Sequence, residues 1–503
     1  MQKIKSLSDL IKTFKGEKKL ALVTDGKETS YDDLYKNILI FACQIIKKSK
    51  GKKLNIGIYT NNPYENILAF FACIYSGAVP VPISNLSFLK TRNSLSSQYK
   101  IKILITGKSK KKIKFNKIQI LKLKPYSESI KNNKINFNKK KIKAEDTASI
   151  ILTSGTTGLK KGVMLSHNNL IKTSKSINNF MRIKKNIFEY LMVPLTSSFG
   201  FARLRCVLLK KGCLIIDSGF FNPLLMIRRF EKYNINSISG VPSAFVMLLS
   251  MPLKLLKNVR KKVFWAEIGS APMKKIHKTK LLNLFPNKKI VIHYGLTEAS
   301  RSTLLHLKKI NKKNELIGKP SPGVNISICD ETRKIIKKRN TIGEIVIKGQ
   351  NVAKGYFNYL SKNFENNRFY TGDLGSIDKD GYVYFHGRKD EIINVGGMKI
   401  SPIFLEDIIS RKMPLGFEFA IFSSPKKHEI HNDTIGIFLK KKINFKNKLN
   451  KINKLLLDNG VPKEGKIRDI IYIRNFPITS SGKIKRKYLK NYVTSIERGY
   501  DYI

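Results

Sequence analysis

The stretch that decides the fold is SIILTSGTTGLKKGVMLSH, residues 149–167, in which a glycine- and hydroxyl-rich loop follows an apolar strand. Glycines lack a Cβ atom, so the backbone N–H groups of such a loop can approach and wrap a polyphosphate. Hydroxyl side chains and a lysine add donors and charge. The phosphate-binding groups would be Thr153, Ser154, Gly155, Thr156, Thr157, Gly158, Lys161 and Gly162. A flexible Ser/Thr/Gly loop is the alternative for this segment taken alone.

This loop differs from the two common nucleotide-binding motifs. The Walker A spacing G-x-x-x-x-G-K-[ST] does not fit it, and no G-x-G-x-x-G follows a strand elsewhere in the sequence. A P-loop kinase and a Rossmann dehydrogenase are therefore both disfavoured.

Outward from the loop, apolar strand-like runs alternate with helical runs. The strand-like runs are ASIIL, EYLMVPL, GCLIID, INSISGVP, VFWAEIGS and KKIVIHYG. Upstream, NILAFFACIYSGAVPVPIS predicts a helix that ends at Gly77 and a strand bounded by Pro80 and Pro82. This alternation predicts an α/β fold with largely parallel sheets flanked by helices.

The length of 503 residues exceeds what one core usually supports, so we expect at least two domains. A boundary is predicted at residues 387–391, after the strand GYVYFHG. Beyond it we predict a hairpin in EIINVGGMKI, a helix starting near Ser401 and Pro402, and a strand in EFAIFSS. Residues 108–143 are basic and of low complexity, which indicates a peripheral lobe or loop.

The formal net charge is +61, from 96 Lys and Arg against 35 Asp and Glu. Nucleic-acid binding is one reading of such an excess. The charge is nevertheless spread along the whole chain together with abundant Ile and Asn, without interleaved aromatic platforms. A coding bias with solvated surface lysines is the favoured interpretation, and we expect no nucleic-acid partner.

Several features favour a cytoplasmic protein. We find no apolar run near the roughly 18 residues of a membrane span, and the first residues lack the apolar core of a signal peptide. The five cysteines show neither paired nor metal-type spacing, which suits a reducing compartment. We therefore expect no membrane span, disulfide or zinc site.

Six further motifs follow in the chain: EIGSAPM (267–273), HYGLTEAS (293–300), GEIVIKGQNVAKGYF (343–357), YTGDLGSIDKDGYVYFHGRKD (370–390), VGGMKISP (395–402) and PITSSGKIKRKYL (477–489). Taken singly, each has an ordinary alternative such as a turn, a cap or a solvated basic patch. In this order, and after the loop above, they resemble the adenylate-forming superfamily of acyl-CoA synthetases, peptide-synthetase adenylation domains and beetle luciferases. One departure is Lys160, where that family commonly has proline.

The resemblance implies an ATP site. Tyr294 would stack on adenine, Thr297 would contact phosphate and Glu298 would hold Mg²⁺, a role that hard-cation chemistry assigns to carboxylates. Asp373 would accept from the ribose hydroxyls and Arg388 would contact ribose or phosphate. The remaining residues implied to line the nucleotide site are Gly269, Ser270, Ala271, Pro272, His293 and Gly295.

The resemblance also implies the reaction. A carboxylic acid would attack the α-phosphorus of ATP with release of pyrophosphate, and coenzyme A would then take the acyl group. Thr156, Lys161, Glu298 and Lys483 are the implied catalytic residues. An enzyme that instead loads the phosphopantetheine of an acyl carrier protein is the alternative, and a non-catalytic nucleic-acid-binding protein is a remote one.

The domain organisation implied by the resemblance has two parts. Residues 1–389 would form an AMP-binding body, made of helix-flanked sheets and a small β subdomain. Residues 390–503 would form a mobile α+β lid that rotates about Asp390. The lid would bring Lys483 to the acid for the first step and the turn at Gly397 to the thiol for the second.

The acid pocket is the least defined part of the site. Thr196 and Ser197 lie where the family often has a His or aromatic gate. Candidate pocket neighbours by motif position are Phe199, Gly200, Val241, Gly269 and Arg301. Arg301 has two candidate roles, a partner for a polar substrate group and a structural ion pair, and the ion pair is favoured.

Overall fold

The computed structural model of the chain describes residues 4–84, 88, 94–107, 118–123, 142–153, 161–183, 186–219, 221–308, 315–395, 398–410, 418–424, 434–440, 446–477, 484, 486 and 488–489. Within them the helices are α1 (Leu7–Lys12), α2 (Tyr31–Ser49), α3 (Pro63–Tyr75), α4 (Leu95–Tyr99), α5 (His167–Phe180), α6 (Ser198–Leu209), α7 (Pro223–Lys232), α8 (Pro242–Leu249), α9 (Lys257–Lys262), α10 (Lys275–Leu284), α11 (Pro402–Ser410) and α12 (Lys446–Asp458), with 3₁₀ turns at Lys389–Glu391 and Lys463–Gly465.

The strands of the body are β1 (Leu20–Thr24), β2 (Lys27–Ser30), β3 (Asn55–Tyr59), β4 (Val79–Pro82), β5 (Ile101–Thr106), β6 (Gln119–Lys122), β7 (Thr147–Thr153), β8 (Lys161–Ser166), β9 (Phe188–Met192), β10 (Cys213–Ile216), β11 (Ser237–Gly240), β12 (Trp265–Ile268) and β13 (Lys289–Tyr294). Those that follow are β14 (Thr303–His306), β15 (Leu316–Pro320), β16 (Val324–Cys329), β17 (Gly343–Gly349), β18 (Gly355–Tyr356), β19 (Phe364–Glu365), β20 (Arg368–Ile377), β21 (Val383–Arg388), β22 (Ile393–Val395), β23 (Met398–Ile400), β24 (Phe419–Ser424), β25 (Thr434–Leu439) and β26 (Ile467–Tyr472).

The largest sheet joins a parallel half to an antiparallel half. In the first half β1, β10, β9, β11, β12 and β13 lie side by side and parallel. These strands are mostly apolar because helices cover both faces of a parallel sheet. From β13 the order continues antiparallel through β14, β15, β21, β20, β17 and β16. This second half is the predicted small β subdomain, and the α/β fold class is confirmed.

The second parallel sheet has the order β4-β3-β5-β6. Helix α3 begins at Pro63 after the side-chain cap of Asn62, and the chain leaves it through Gly77, whose φ is +80°. The following strand β4 contains two prolines, which is tolerated because β4 lies at the edge of this sheet. The helix end and the strand predicted from the Gly and Pro pattern are therefore both present.

One strand pair departs from the parallel pattern that prevails in the predicted sheets. Strand β7, which precedes the phosphate loop, pairs antiparallel with β8, with Thr153 opposite Lys161. The physical reason is the short connection of residues 154–160, since antiparallel neighbours can be joined by a tight loop whereas parallel ones need a crossover. Thr153 and Lys161, which flank the loop in the sequence, are thus opposite each other in an antiparallel pair.

The residues after the 3₁₀ turn Lys389–Glu391 pack a core of their own. The predicted hairpin, helix and strand are present as β22 with β23, α11 and β24, and β24 joins β25 and β26 in a three-stranded sheet. Their apolar side chains form one cluster that includes Ile393, Leu405, Ile421, Ile437, Leu456 and Ile467. The boundary itself, between residues 389 and 390, stays a prediction.

Two expectations drawn from composition concern disulfide bonds and membrane spans. All five cysteines are free thiols. Of the helices in the described part of the chain, none is both long and apolar enough to cross a membrane.

Candidate active site

The site lies at one edge of the parallel half-sheet. Strands β9, β11, β12 and β13 run parallel, so their carboxyl ends open onto the same edge, which is where open α/β sheets bind ligands. The segments that leave this edge carry Ser197, Val241, Gly269 and Tyr294. Chain topology therefore gathers four motifs that are far apart in the sequence.

Tyr294 and Asp373 are in direct contact. The Tyr294 hydroxyl donates to Asp373 Oδ2 at 2.6 Å, and Arg388 Nη1 donates to Asp373 Oδ1 at 2.9 Å. Arg388 lies opposite Asp373 across β20 and β21, and its Nε donates to Asp390 at 3.0 Å. Burial together with the Asp373 charge raises the pKa of Tyr294 well above its usual range, so its hydroxyl stays a donor. Three predicted ribose and adenine residues thus form one chain that reaches the predicted hinge.

Glu298 and Lys161 approach each other through Tyr356. The Tyr356 hydroxyl donates to Glu298 Oε1 at 2.8 Å, and Lys161 Nζ lies 5.0 Å from the centre of the Tyr356 ring and 4.7 Å from that of Tyr359. Glu298 is buried, and burial raises its pKa against the opposing effects of the Tyr356 hydrogen bond and of Arg388 and Lys161. The carboxylate predicted to hold Mg²⁺ and the loop lysine are therefore neighbours.

A tight turn positions the residues between Tyr294 and Glu298. Leu296 and Ala299 exchange backbone hydrogen bonds at 3.1 and 3.2 Å. A Cβ on Gly295 would lie 2.4 Å from the backbone nitrogen of Arg301, so only glycine fits there. The turn directs the Thr297 hydroxyl to Ser198 Oγ, 3.4 Å away at the start of α6.

Gly269 faces His293. A Cβ on Gly269 would come within 2.0 Å of the His293 ring, so the missing side chain makes room for the imidazole. The sequence interpretation assigned Gly269 to the lining of the nucleotide site, and in this structure the His293 ring lies against it. Ser270 follows with φ +75°, which turns the chain sharply at the strand end. Ala271 and Ser270 are partly exposed and Pro272 is exposed at this turn.

Beneath the site is a buried ionic cluster of Glu189, Arg203, Glu267 and Arg301. Arg203 donates to both oxygens of Glu189, at 2.8 and 2.6 Å, and to Glu267 at 2.8 Å. Arg301 Nε donates to Glu267 at 3.1 Å, so the ion pair favoured for Arg301 is present. These arginines hold the pKa of Glu267 well below its usual range despite its burial. Charge balance explains how four ionised side chains are tolerated in the core.

The expected acid gate is replaced by a helix cap. Ser197 caps α6 by accepting from the backbone N–H of Gly200 at 3.0 Å. Phe199 is buried edge-on against His293, with ring centres 4.7 Å apart, and Val241 is buried as well. A Cβ on Gly200 would lie 2.4 Å from the carbonyl oxygen of Pro194. These pocket candidates accordingly serve packing in this structure.

Several predicted site residues lie outside the described residues. They are Ser154, Gly155, Thr156, Thr157, Gly158, Gly397 and Lys483. Thr153 is described and ends β7, where its hydroxyl donates to the carbonyl of Lys161 at 3.4 Å. Arg486, three residues after Lys483 in the sequence, is anchored by ion pairs with Glu406 at 2.7 Å and with Glu391 at 3.3 Å.

The sequence interpretation missed Tyr356 and the ionic cluster. Tyr356 lies in the quoted motif GEIVIKGQNVAKGYF, but its bond to Glu298 joins positions 58 residues apart. The cluster had a usable signal, since Glu189, Arg203 and Glu267 each interrupt an otherwise apolar strand or helix. A lone charge in such a run predicts a buried partner.

The described residues fit a magnesium ion that is held mainly by substrate. Mg²⁺ is usually bound by one or two carboxylates together with phosphate oxygens and water, not by an all-protein cage. Glu298 supplies one such carboxylate, beside the hairpin that carries the phosphate loop. In the described part of the chain, no cluster of three or more His, Cys, Asp or Glu residues offers an all-protein site.

Comparisons with known proteins show the family of this chain. The profile of the family described as AMP-binding enzyme matches residues 13–357. The oxalate–CoA ligase of Saccharomyces cerevisiae is 30% identical over 356 residues, which cover 69% of this chain and 63% of that protein. The D-alanine–D-alanyl carrier protein ligase of Lactococcus lactis is 30% identical over 376 residues, which cover 70% of this chain and 71% of the relative.

The fold also matches solved structures. The o-succinylbenzoate coenzyme A synthetase MenE from Bacillus subtilis, in complex with ATP and magnesium ion, superimposes with a TM-score of 0.82. The match covers 96% of this chain and 99% of that one at 21% identity. At this identity the likeness concerns the fold.

Proposed function

Because the chain belongs to the AMP-binding enzyme family, we propose that it is an AMP-forming ligase that adenylates a carboxylic acid with ATP and transfers the acyl group to coenzyme A. The observation that carries the proposal is the joint placement of the nucleotide motif against two basic residues. Glu298 lies near Lys161, with Tyr356 in contact with both, and Asp373 binds Arg388. The charge of Arg388 also acts to lower the pKa of Glu298, so the Asp373–Arg388 pair and the Glu298–Lys161 pair belong to one site.

The proposed first step needs charge neutralisation more than base catalysis. A carboxylate is already nucleophilic, and the barrier comes from bringing two anions together and from charge on the phosphoryl oxygens. Lys161, with Thr156 and Thr157, would hold the β- and γ-phosphates and leave with pyrophosphate. Lys483 would neutralise the acid and the α-phosphate. When bound on Glu298, Mg²⁺ supplies further positive charge at the phosphates.

In the proposed nucleotide site the ring of Tyr294 faces adenine, while Asp373 accepts from the ribose hydroxyls. An ionised carboxylate offers about four lone-pair positions, and Tyr294 and Arg388 each donate to one of its oxygens. Gly269, Ser270, Ala271, Pro272, His293 and Gly295 would form the wall behind the nucleotide.

For the second step we propose rotation of residues 390–503 about Asp390. The rotation would withdraw Lys483 and bring the Gly397 turn to the thiol. The contact of Arg486 with Glu391 and Glu406 supports this division, because it ties the tail to the C-terminal unit. We place the enzyme in the cytoplasm, where its five free thiols would stay reduced.

A pyrophosphate-release screen over a panel of carboxylic acids tests the proposal. We expect ATP- and Mg²⁺-dependent release with at least one acid, and AMP and acyl-CoA once coenzyme A is added. A matched control is Arg228→Met, which removes an exposed cation remote from the site and should leave the rate unchanged. Folded protein that releases no pyrophosphate with any acid, yet retains nucleic acid in a salt-sensitive manner, would favour the nucleic-acid alternative.

A carrier protein is the second candidate acceptor. It is favoured by the 30% identity to a ligase that acts on D-alanyl carrier protein. Both acceptors present a phosphopantetheine thiol, so the active site would be the same. Coenzyme A-dependent AMP release supports the first acceptor, whereas release that requires a phosphopantetheinylated carrier protein supports the second.

A further inference from the structure

A buried arginine without a counter-ion lies next to the candidate active site. Arg205 in α6 is only 4% exposed, and its Nε atom has no hydrogen-bond partner. Among the described residues no carboxylate lies within ion-pair distance of its guanidinium. An unpaired buried charge is costly, so a residue of this kind calls for an explanation.

Arg203, two residues earlier on the same helix, is also buried, but its charge is paired with carboxylates. It makes three short hydrogen bonds to Glu189 and Glu267. Positions i and i+2 of a helix point in different directions, so Arg205 cannot share those carboxylates. Burial and the nearby Arg301 lower the pKa of Arg205 to about 9, which leaves it positively charged near pH 7.

Arg205 lines a cavity, which we call the Arg205 cavity, between α6 on one side and β7, β8 and α5 on the other. The cavity has about 20 Å³ of space, enough for one or two water-sized groups. Its polar wall residues are Ser149, Asn169, Thr173, Ser198, Ser300 and Asn351. Asn351 Oδ1 also lacks a partner. The cavity thus offers a charged donor, which the two oxygens of a carboxylate would satisfy.

The Arg205 cavity adjoins the nucleotide motif. Ser198, Phe201 and Arg205 follow one face of α6, and Ser198 at the helix start accepts from the Thr297 hydroxyl at 3.4 Å. Ser300, three residues after Thr297, forms part of the wall. Seven residues of helix span about 10 Å, and long side chains in a helix lean toward its N-terminus. The Arg205 side chain therefore leans toward the end of α6 that carries Ser198.

We propose that the Arg205 cavity binds a second carboxylate of the acid substrate, and hence that the enzyme adenylates short α,ω-dicarboxylic acids. This inference rests on the proposed function. One carboxylate reacts near Thr297 while the other pairs with Arg205, whose charge is balanced only in the complex. The cavity volume limits the occupant to a small terminal group, so bulky or long acyl chains are excluded.

The test compares matched pairs of acids that differ only in the second carboxylate: butanedioate with butanoate, and hexanedioate with hexanoate. Pyrophosphate release at saturating ATP and Mg²⁺ gives kcat/KM for each. The parent protein should prefer a diacid at least tenfold over its monoacid. Arg205→Met should cut the diacid value by about 100-fold, the range seen when a site loses the partner of a substrate polar group, and change the monoacid value by less than about threefold. Lys210→Met removes a cation at the end of the same helix and should change neither.

Thermal unfolding of the ATP-free protein gives an independent readout. Butanedioate should raise the midpoint of the parent and not that of Arg205→Met, while butanoate should raise neither. The variant should fold, because it loses an unpaired charge and not a contact.

The outcomes separate this inference from the proposed function. Pyrophosphate release with monoacids only, or a diacid preference that Arg205→Met leaves intact, overturns the inference and leaves the ligase assignment standing. Release with no acid at all contradicts the ligase assignment itself. If chloride stabilises the parent through Arg205 as well as butanedioate does, the cavity holds a resident inorganic anion and the substrate assignment is wrong.

Discussion

Tyr356→Phe is the most informative single change in the candidate active site. It removes one hydroxyl, which donates to Glu298 Oε1 at 2.8 Å, and keeps the ring that faces Lys161 and packs on Phe364. A hydrogen bond to a charged group contributes about 1.5–3 kcal/mol. Because Glu298 is buried, water cannot replace the lost donor easily.

The loss should appear as a higher magnesium requirement. The Tyr356 hydrogen bond opposes the burial that raises the pKa of Glu298, so its removal raises that pKa further and disfavours the ionised carboxylate. Partners that orient a metal ligand typically contribute about 10- to 100-fold in metal affinity. We expect the Mg²⁺ concentration for half-maximal pyrophosphate release to rise by about that factor. The low-pH limit of activity should also move upward, because the ionised form is lost as the pH falls through the raised pKa.

Tyr359→Phe is the matched control. Its ring lies equally close to Lys161, at 4.7 Å, but the side chain is 51% exposed and makes no described bond to Glu298. An unchanged Mg²⁺ requirement in folded Tyr356→Phe, or the same increase in both variants, would refute the assignment of Glu298 to the metal.

Four further outcomes are expected. Asp373→Ala should raise the ATP requirement far more than the acid requirement, measured as separate KM values; equal effects count against ribose binding. Lys483→Ala should cut pyrophosphate release by about two to three orders of magnitude, yet form thioester from synthetic acyl-adenylate at near the parent rate. Arg203→Met leaves buried carboxylates unpaired and should cost about 3–5 kcal/mol in denaturant unfolding, most of which Glu189→Leu in the same chain should restore; additive losses would contradict this. Burial lowers the pKa of His167 to about 4 from its usual 6.5, so stability that is complete above about pH 6.5 should fall by about 3 kcal/mol on acidification to pH 4; the same slope in His167→Asn would exclude this residue as its source.

Local signals in the sequence predicted much of the fold. The Gly77 turn and the edge strand with Pro80 and Pro82 follow from backbone constraints that each residue carries with it. Strand direction does not follow from such local constraints, because an apolar run has the same sequence pattern in a parallel pair and in an antiparallel hairpin. The antiparallel β7–β8 pair was therefore not predicted, although the shortness of the loop between Thr153 and Lys161 could have indicated it.

The motif resemblance predicted the family, which the profile match confirms. It named the nucleotide residues without their mutual contacts. The bonds from Tyr294 to Asp373 and from Tyr356 to Glu298 join positions 79 and 58 residues apart, and only the folded sheet brings them together. A charged residue in an apolar helix, such as Arg205, can be noticed in the sequence. Whether it has an ion-pair partner depends on the three-dimensional packing.

The hydrogen-bonded chain from Tyr294 through Asp373 and Arg388 to Asp390 joins residues predicted to bind the nucleotide to the predicted hinge. A ligand that draws on Asp373 competes with Arg388 for the same oxygens, and Arg388 divides its donors between Asp373 and Asp390. Occupancy at one end is thereby linked to orientation at the other. Linkage of this kind is reciprocal: a rotation about the predicted hinge must change the affinity for nucleotide by the same factor by which nucleotide biases that rotation.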